Sequence, residues 1–141
     1  MIVDIAVYTN GVRRSGSLGF DQAFEAGRDP DSFVWLGLFE PTVEEFEAAR
    51  EEIGLHEQAI EDAVNAHHRP KLEVYGDSLF VVLKTARYVD VSEEVEFAEL
   101  QLFIGDGFVI TVRHGAASAL SAVRRTLESE PEFLAHGPRA V

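Results

Sequence analysis

The chain contains no cysteine among its 141 residues. That excludes disulfides, a thiolate nucleophile and any zinc-thiolate site, and it is compatible with a reducing compartment. Long apolar runs are missing as well. No stretch approaches the ~20 apolar residues that a membrane helix needs. Met1-Ile2-Val3-Asp4 lacks the basic start and apolar core of a signal peptide, so a soluble chain is expected. Positive charge is scarce: 12 basic residues face 25 acidic ones, for a net charge of -13. Such a field repels nucleic acid and anionic lipid and draws cations inward, although acidity also serves plain solubility. There is no Gly-x-Ser-x-Gly elbow and no phosphate loop, and no spacing of histidines and carboxylates proposes a nucleophile-base pair. An enzyme is therefore not expected.

What is present is the composition of one globular domain over residues 1–141, with 46% hydrophobic residues to build a core. Ile2, Ile5, Val7 and Tyr8 make an opening strand, and Asn10-Gly11 behind them is a turn signal. A short helix around Phe20, Ala23 and Phe24 ends before Gly27, and Arg28-Asp29-Pro30-Asp31 is a loop. Phe33 to Phe39 is a short apolar run, as expected of a strand covered on both faces. Thr42 and Glu45 have the spacing of a capping box. Val43, Phe46, Ala49 and Ile53 then recur at helical spacing up to a stop at Gly54.

A second helix follows at once and buries Leu55, Ala59, Ile60, Ala63 and Val64, running to about His67. Pro70 forces the break, because it cannot continue a helix and pushes Arg69 out of the α region. Beyond it, Leu72, Val74 and Tyr75 start a strand that Gly76-Asp77 turns. Leu79 to Leu83 is the most apolar strand and is expected to be central. In the next strand Val95 and Phe97 share one parity while Leu100, Leu102 and Ile104 share the other. That slip predicts a bulge near Ala98 or burial on both faces. Gly105-Asp106-Gly107 turns the chain into Phe108, Ile110 and Val112. A last helix presents Ala116, Ala119, Leu120, Val123 and Leu127 inward and Arg124 and Arg125 outward. Residues 135–141 have the composition of a connection. The order implies an α/β (α+β mixed) fold, a mixed sheet with helices packed against it rather than a doubly wound parallel one.

Ile60 to Glu73 concentrates the chemistry. Glu61 lies opposite the apolar stripe of its helix and Asp62 at its rim, so the two carboxylates are splayed by ~100°. One helix cannot offer both to a single hard cation, which wants several oxygens in octahedral array. On spacing alone a solvated helix edge is the commoner reading, and a metal site would need ligands from elsewhere. His67 and His68 are adjacent and point apart; a helix C-terminal histidine facing the dipole is the commoner role for His67. Glu93, Glu94 and Glu96 form an acidic edge of the same ambiguous kind.

Taken together, Trp35, Pro41 with the helix after it, Gly54-Leu55-His56, Ile60-Glu61-Asp62, Arg69-Pro70-Lys71-Leu72-Glu73, Leu79 to Leu83 and Ile110-Thr111-Val112 carry a resemblance. In order and spacing they resemble the amino-terminal cytosolic domain of the CorA family of magnesium and cobalt channels, over about residues 30–130. The resemblance implies a mixed sheet between two layers of helices. It implies a cytosolic regulatory domain of an inner (plasma) membrane protein that assembles as a homopentamer, with divalent ions bound between neighbouring domains favouring the closed state. Asp62 would then be an intersubunit metal ligand, with Glu61 and His67 as further candidates. Mg2+ would be the regulatory ion, with Co2+ or Zn2+ as alternatives, and divalent cations and other copies would be the partners. The pore signature Gly-Met-Asn, both membrane helices and the stalk helix are absent from this chain, so contact with the membrane is expected only through missing C-terminal segments. The zinc-transporting ZntB branch shares the fold and is a second reading, and a free-standing interaction module is a third.

Overall fold

Among the described residues, alternation and helical spacing resolve into five α-helices around one seven-stranded sheet. The computed structural model describes residues 1–55, 57–65, 69–115 and 120–141, apart from the side chain of Asp62. Strands β1 (Ile2–Thr9) and β2 (Val12–Arg13) form a hairpin about Asn10-Gly11. Both turn residues have positive φ, 52° and 79°, as a two-residue hairpin turn requires. Helix α1 (Phe20–Gly27) leads to β3 (Ser32–Phe39), which is buried over its whole interior. Helices α2 (Val43–Ile53) and α3 (Glu57–Val64) follow, then β4 (Lys71–Tyr75), β5 (Ser78–Val89), β6 (Glu94–Gly105) and β7 (Phe108–Gly115). Helices α4 (Ser121–Glu128) and α5 (Pro131–Leu134) and a 3-10 turn (Pro138–Ala140) complete the chain.

The strand order is β2-β1-β3-β7-β6-β5-β4. Only β3 and β7 run parallel, and the other neighbours are antiparallel. The sheet is therefore mixed, with helices on both faces. Side chains alternate between the two faces as the pleat demands. Val34, Leu36 and Leu38 of β3, with Phe80, Phe103, Phe108 and Ile110, meet α1, α2 and α3 in the larger core. Phe33 and Trp35 point the other way with Ala6, Tyr8 and Val109, and Leu127 of α4 and Leu134 of α5 close over them. Phe80 and Phe103 stack at 4.6 Å between ring centres, and Phe46 of α2 meets Phe103 edge-on. Such pairs add about 1 kcal/mol beyond area burial.

Several expectations are corrected. Leu79 to Leu83 lies in β5, next to the edge strand, and Leu83 is exposed. The middle of the sheet is the parallel pair, because strands that enter by a crossover need helices on both faces. No bulge interrupts β5 and β6, which stay in one register from Leu79↔Ile104 to Val89↔Glu94. The parity slip arises because β6 is covered on both faces towards its end and exposed at its start, where Val95 and Phe97 face solvent. Thr42 does accept from the Glu45 amide, but Glu45 turns its carboxylate to the Met1 ammonium at 2.7 Å.

On α4 the inward face is not the expected one. Val123 is exposed, whereas Arg124 is buried beside Leu127. Ala116 and Ala119 lie outside the described residues. Ala140 and Val141 pack on the second core. Among the described residues no helix is long and apolar enough to cross a membrane.

Candidate functional site

The site proposed by sequence sits on α3. Gly54 ends α2 in the left-handed region, with φ 66°, and its N–H returns to the Arg50 carbonyl at 2.7 Å. Two residues later α3 begins, and Leu55, Ala59, Ile60 and Ala63 seat it on the larger core. That seating fixes the outward face. Glu61 is exposed there, one turn from Glu57, and Asp62 is the next residue of the same helix. His67 and the side chain of Asp62 lie outside the described residues, as do His56 and His68.

Glu57, Glu61 and Asn65 of this region share a shallow groove of about 380 Å³ with Val43 and Glu47 of α2. Glu47 is partly engaged by Arg50 at 3.5 Å. Among the described residues no three acidic or histidine side chains come close enough together to hold one ion. The groove therefore gathers like charge without closing a coordination sphere. Glu57 and Glu61, four residues apart on one helix, repel by a few tenths of a kcal/mol. A divalent cation would relieve that repulsion, but its remaining ligands must come from outside the described residues.

The far end of α3 is tied to the sheet by a residue that sequence reasoning left unassigned. His114 of β7 lies 3.0 Å through Nε2 from the Ala63 carbonyl. A carbonyl only accepts, so this nitrogen carries the proton. Across the β6–β7 ladder His114 is paired with Glu99, which is 2% exposed. Glu99 receives Lys84 Nζ at 2.9 Å and Gln101 Nε2 on its other oxygen. The carboxylate of this pair is buried while its lysine reaches solvent, and Glu99 lies beside the histidine that holds the helix. The signal was present as Glu99 and Gln101 alternating in phase with Phe103, but a polar residue in a strand does not reveal which face will be covered.

The acidic edge behaves as a solvated one. Glu96 pairs with Arg87 at 2.7 Å across the hairpin, and Glu93 and Glu94 are exposed.

A second group of charged residues lies on the opposite face. Arg124 sits 4.1 Å over the Trp35 ring and donates to Asp4 Oδ2 at 2.6 Å. Trp35 Nε1 donates to Thr111 Oγ1 at 3.1 Å. Tyr8 donates to Glu128 at 2.7 Å, and Arg13 reaches Asp4 and Glu128 at 3.2 Å each. Burial, reinforced by the Glu128 bond and charge and opposed by Arg124 and Arg13, pushes the Tyr8 phenol well above its ordinary range. Burial alone would lower Arg13, but Asp4, Glu128 and Tyr8 outweigh it and raise that guanidinium.

Comparison with known proteins bears on the first site. The family model described as CorA-like Mg2+ transporter protein matches residues 30–137. YfjQ of Bacillus subtilis, which its name assigns provisionally to metal ion transport, is 30% identical over 115 residues, 81% of this chain and 35% of that protein. The cobalt/magnesium transport protein CorA of Thermotoga maritima is 26% identical over 103 residues, 71% of this chain and 29% of that protein. The chain thus spans about a third of the length of the curated relatives it matches. Among solved structures, full-length CmaX superposes with a TM-score of 0.67 at 22% identity, over 91% of this chain and 39% of CmaX. The soluble domain of CorA from Methanocaldococcus jannaschii gives 0.60 at 17%, over 97% and 52%. The ZntB cytoplasmic domain from Vibrio parahaemolyticus gives 0.55 at 14%, over 71% and 41%. At these identities the structures establish a shared fold.

Proposed function

This chain belongs to the CorA-like Mg2+ transporter family, and from that premise we propose that it is the ion-sensing regulatory domain of a divalent-cation channel. Membership places it among transport proteins rather than enzymes. Its place in the whole transporter is on the cytoplasmic side of the plasma membrane, as one of a ring of identical domains, five by resemblance. By the family resemblance, the stalk and membrane passage of the whole transporter would lie in the remaining two thirds of the length that the relatives have.

The observation that carries this reading is the exposed carboxylate pair Glu57 and Glu61 on α3, a helix whose other side is locked into the core; Asp62 follows Glu61 in the sequence of that helix. The adjoining groove adds Glu47, yet no ion site closes within the described residues. A face of this kind is suited to sharing an ion with a second copy. Mg2+ between two such faces neutralises carboxylates that otherwise repel across the interface. It therefore stabilises the assembled, closed arrangement over the open one by its differential affinity. Asp62 is the principal ligand, Glu61 supplies a second nearby position, and His67 is an outlying candidate. Oxygen donors suit Mg2+ and accept Co2+, whereas zinc in the ZntB-like alternative prefers nitrogen or sulfur, of which this helix end offers only imidazole.

The test is Asp62→Ala in a transporter that carries this domain. The Mg2+ concentration that half-closes the channel is expected to rise by about tenfold or more, the cost of one lost charged ligand. Unchanged inhibition of transport by Mg2+ would remove Asp62 from the site.

A further inference from the structure

The sheet is covered unevenly, and its bare part carries a separate inference. On one face Phe80 and Val82 of β5 and Phe103 of β6 pack with α1, α2 and α3. On the other face α4, α5 and the final turn cover Tyr8, Phe33, Trp35 and Val109, and their cover reaches β6 only at Ile104. From there the second face continues across β6, β5 and β4, and its side chains belong to neither core.

The pairing registers fix which residues these are. Val81 lies between Leu72 of β4 and Leu102 of β6. Leu79 stands opposite Val74, and Leu83 opposite Leu100. All point away from Phe80, Val82 and Phe103, because neighbours along a strand alternate between faces. Leu72 is 65% exposed, Val74 69% and Leu83 45%, and the others are partly exposed. Together they present roughly 500 Å² of aliphatic surface, the size at which a patch on a monomer marks an interaction site. The run Leu79-Phe80-Val81-Val82-Leu83 is apolar in both parities, the pattern of a strand covered on both faces. Its second face lacks that cover within the chain.

Charge and shape decide what supplies it. The chain has 25 acidic and 12 basic residues, yet none of these side chains is charged. Anionic lipid and nucleic acid are repelled by the net charge of -13. A second copy brings the same uncharged, aliphatic sheet face. Two such faces pack about 10 Å apart with their strands aligned within about 30°. We infer that this face is a homodimer interface, formed by two copies of this chain about a two-fold axis. The contact is self-complementary and closes at two copies. Two patches bury roughly 1,000 Å² in all, at the lower limit for a specific contact, so the dimer is a weak one. The proposal does not depend on the ion-sensing reading, since α3 packs on the other face.

Sedimentation of the full chain without divalent ions tests it. Between about 5 and 500 µM the mass should rise from monomer towards dimer, with a Kd of about 10 to 100 µM. Added NaCl should tighten it, because two bodies of net charge -13 repel. Leu83→Lys with Val74→Lys should weaken association at least about tenfold, although both changes reduce that repulsion. Val43→Lys alters an apolar residue of α2 that is 50% exposed, on the other side of the sheet, and should leave the Kd unchanged. None of the three positions belongs to either core, and thermal unfolding identifies any variant that fails to fold. Leu83 lies one strand in from the edge, so pairing of two β4 edges would survive Leu83→Lys alone. A chain that stays monomeric throughout overturns the proposal and leaves the face to a different polypeptide. So does a dimer that Leu83→Lys does not weaken, or one that Val43→Lys weakens equally. Association that appears only with MgCl2 belongs to the α3 face and overturns it too.

Discussion

Arg124 and Tyr8 are buried beside acidic partners far along the chain. Arg124 is held by Asp4 and by the face of Trp35, an arrangement worth about 2 kcal/mol for a desolvated cation over indole. Tyr8 is fully buried and donates a hydrogen bond to Glu128. Because the folded state raises the Tyr8 pKa above its ordinary 10.0, the folded chain keeps this proton where the unfolded chain has lost it. The stabilisation is complete below about pH 10 and drains away as pH climbs from there towards the folded value. The urea midpoint should therefore fall between about pH 9 and pH 11, and fall less in Tyr8→Phe than in the parent chain. Equal falls would show that Tyr8 ionises as freely in the fold as out of it.

At the scale of elements, α2 and α3 form a unit whose junction sets the carboxylate face. Thr42 caps α2 by accepting the Glu45 N–H, and Gly54 closes it in the left-handed region. Nothing lies within 4 Å of the position a Cβ would take at Gly54, so a side chain there costs backbone strain alone. Gly54→Ala should lower stability by about 1 kcal/mol, read as a shift of the urea midpoint at constant slope. No loss would mean that the junction relaxes, and with it the placement of α3. His114 secures the other end of α3 through the Ala63 carbonyl. The helix carrying Glu61 is thus fixed at its start by a turn, beneath by the core and at its end by the sheet. The stop at Gly54 and the periodicity of both helices were legible in the sequence. The His114 contact was not, since it joins residues 51 positions apart.

For the whole molecule, the net charge of -13 is the dominant electrostatic fact. Self-repulsion of this size destabilises a compact state and is screened by salt. Raising NaCl from about 20 to about 500 mM should increase the thermal midpoint by several degrees. At matched ionic strength MgCl2 should increase it further, and Glu61→Gln with Asp62→Asn should remove that excess. Identical effects of the two salts would leave only screening. Helix α3 packs on one face of the sheet and α4 with Arg124 on the other.

The amino-acid sequence by itself determined the local elements and the family. Hydrophobic periodicity marked α1 to α4 but not α5, Asn10-Gly11 and Gly105-Asp106-Gly107 marked hairpins, and the block from Ile60 to Glu73 carried part of the resemblance that the family match bears out. Those signals act over a few residues, where the chain's own geometry suffices. Only the tertiary structure decided that β3 and β7 form the middle of the sheet, that β6 is covered on both faces without a bulge, and that Arg124 turns inward. Each of these depends on partners far along the chain. Asp4, 120 positions before Arg124, is what makes a buried arginine tolerable, and helical spacing, which treats a charged residue as an outward one, does not carry that information.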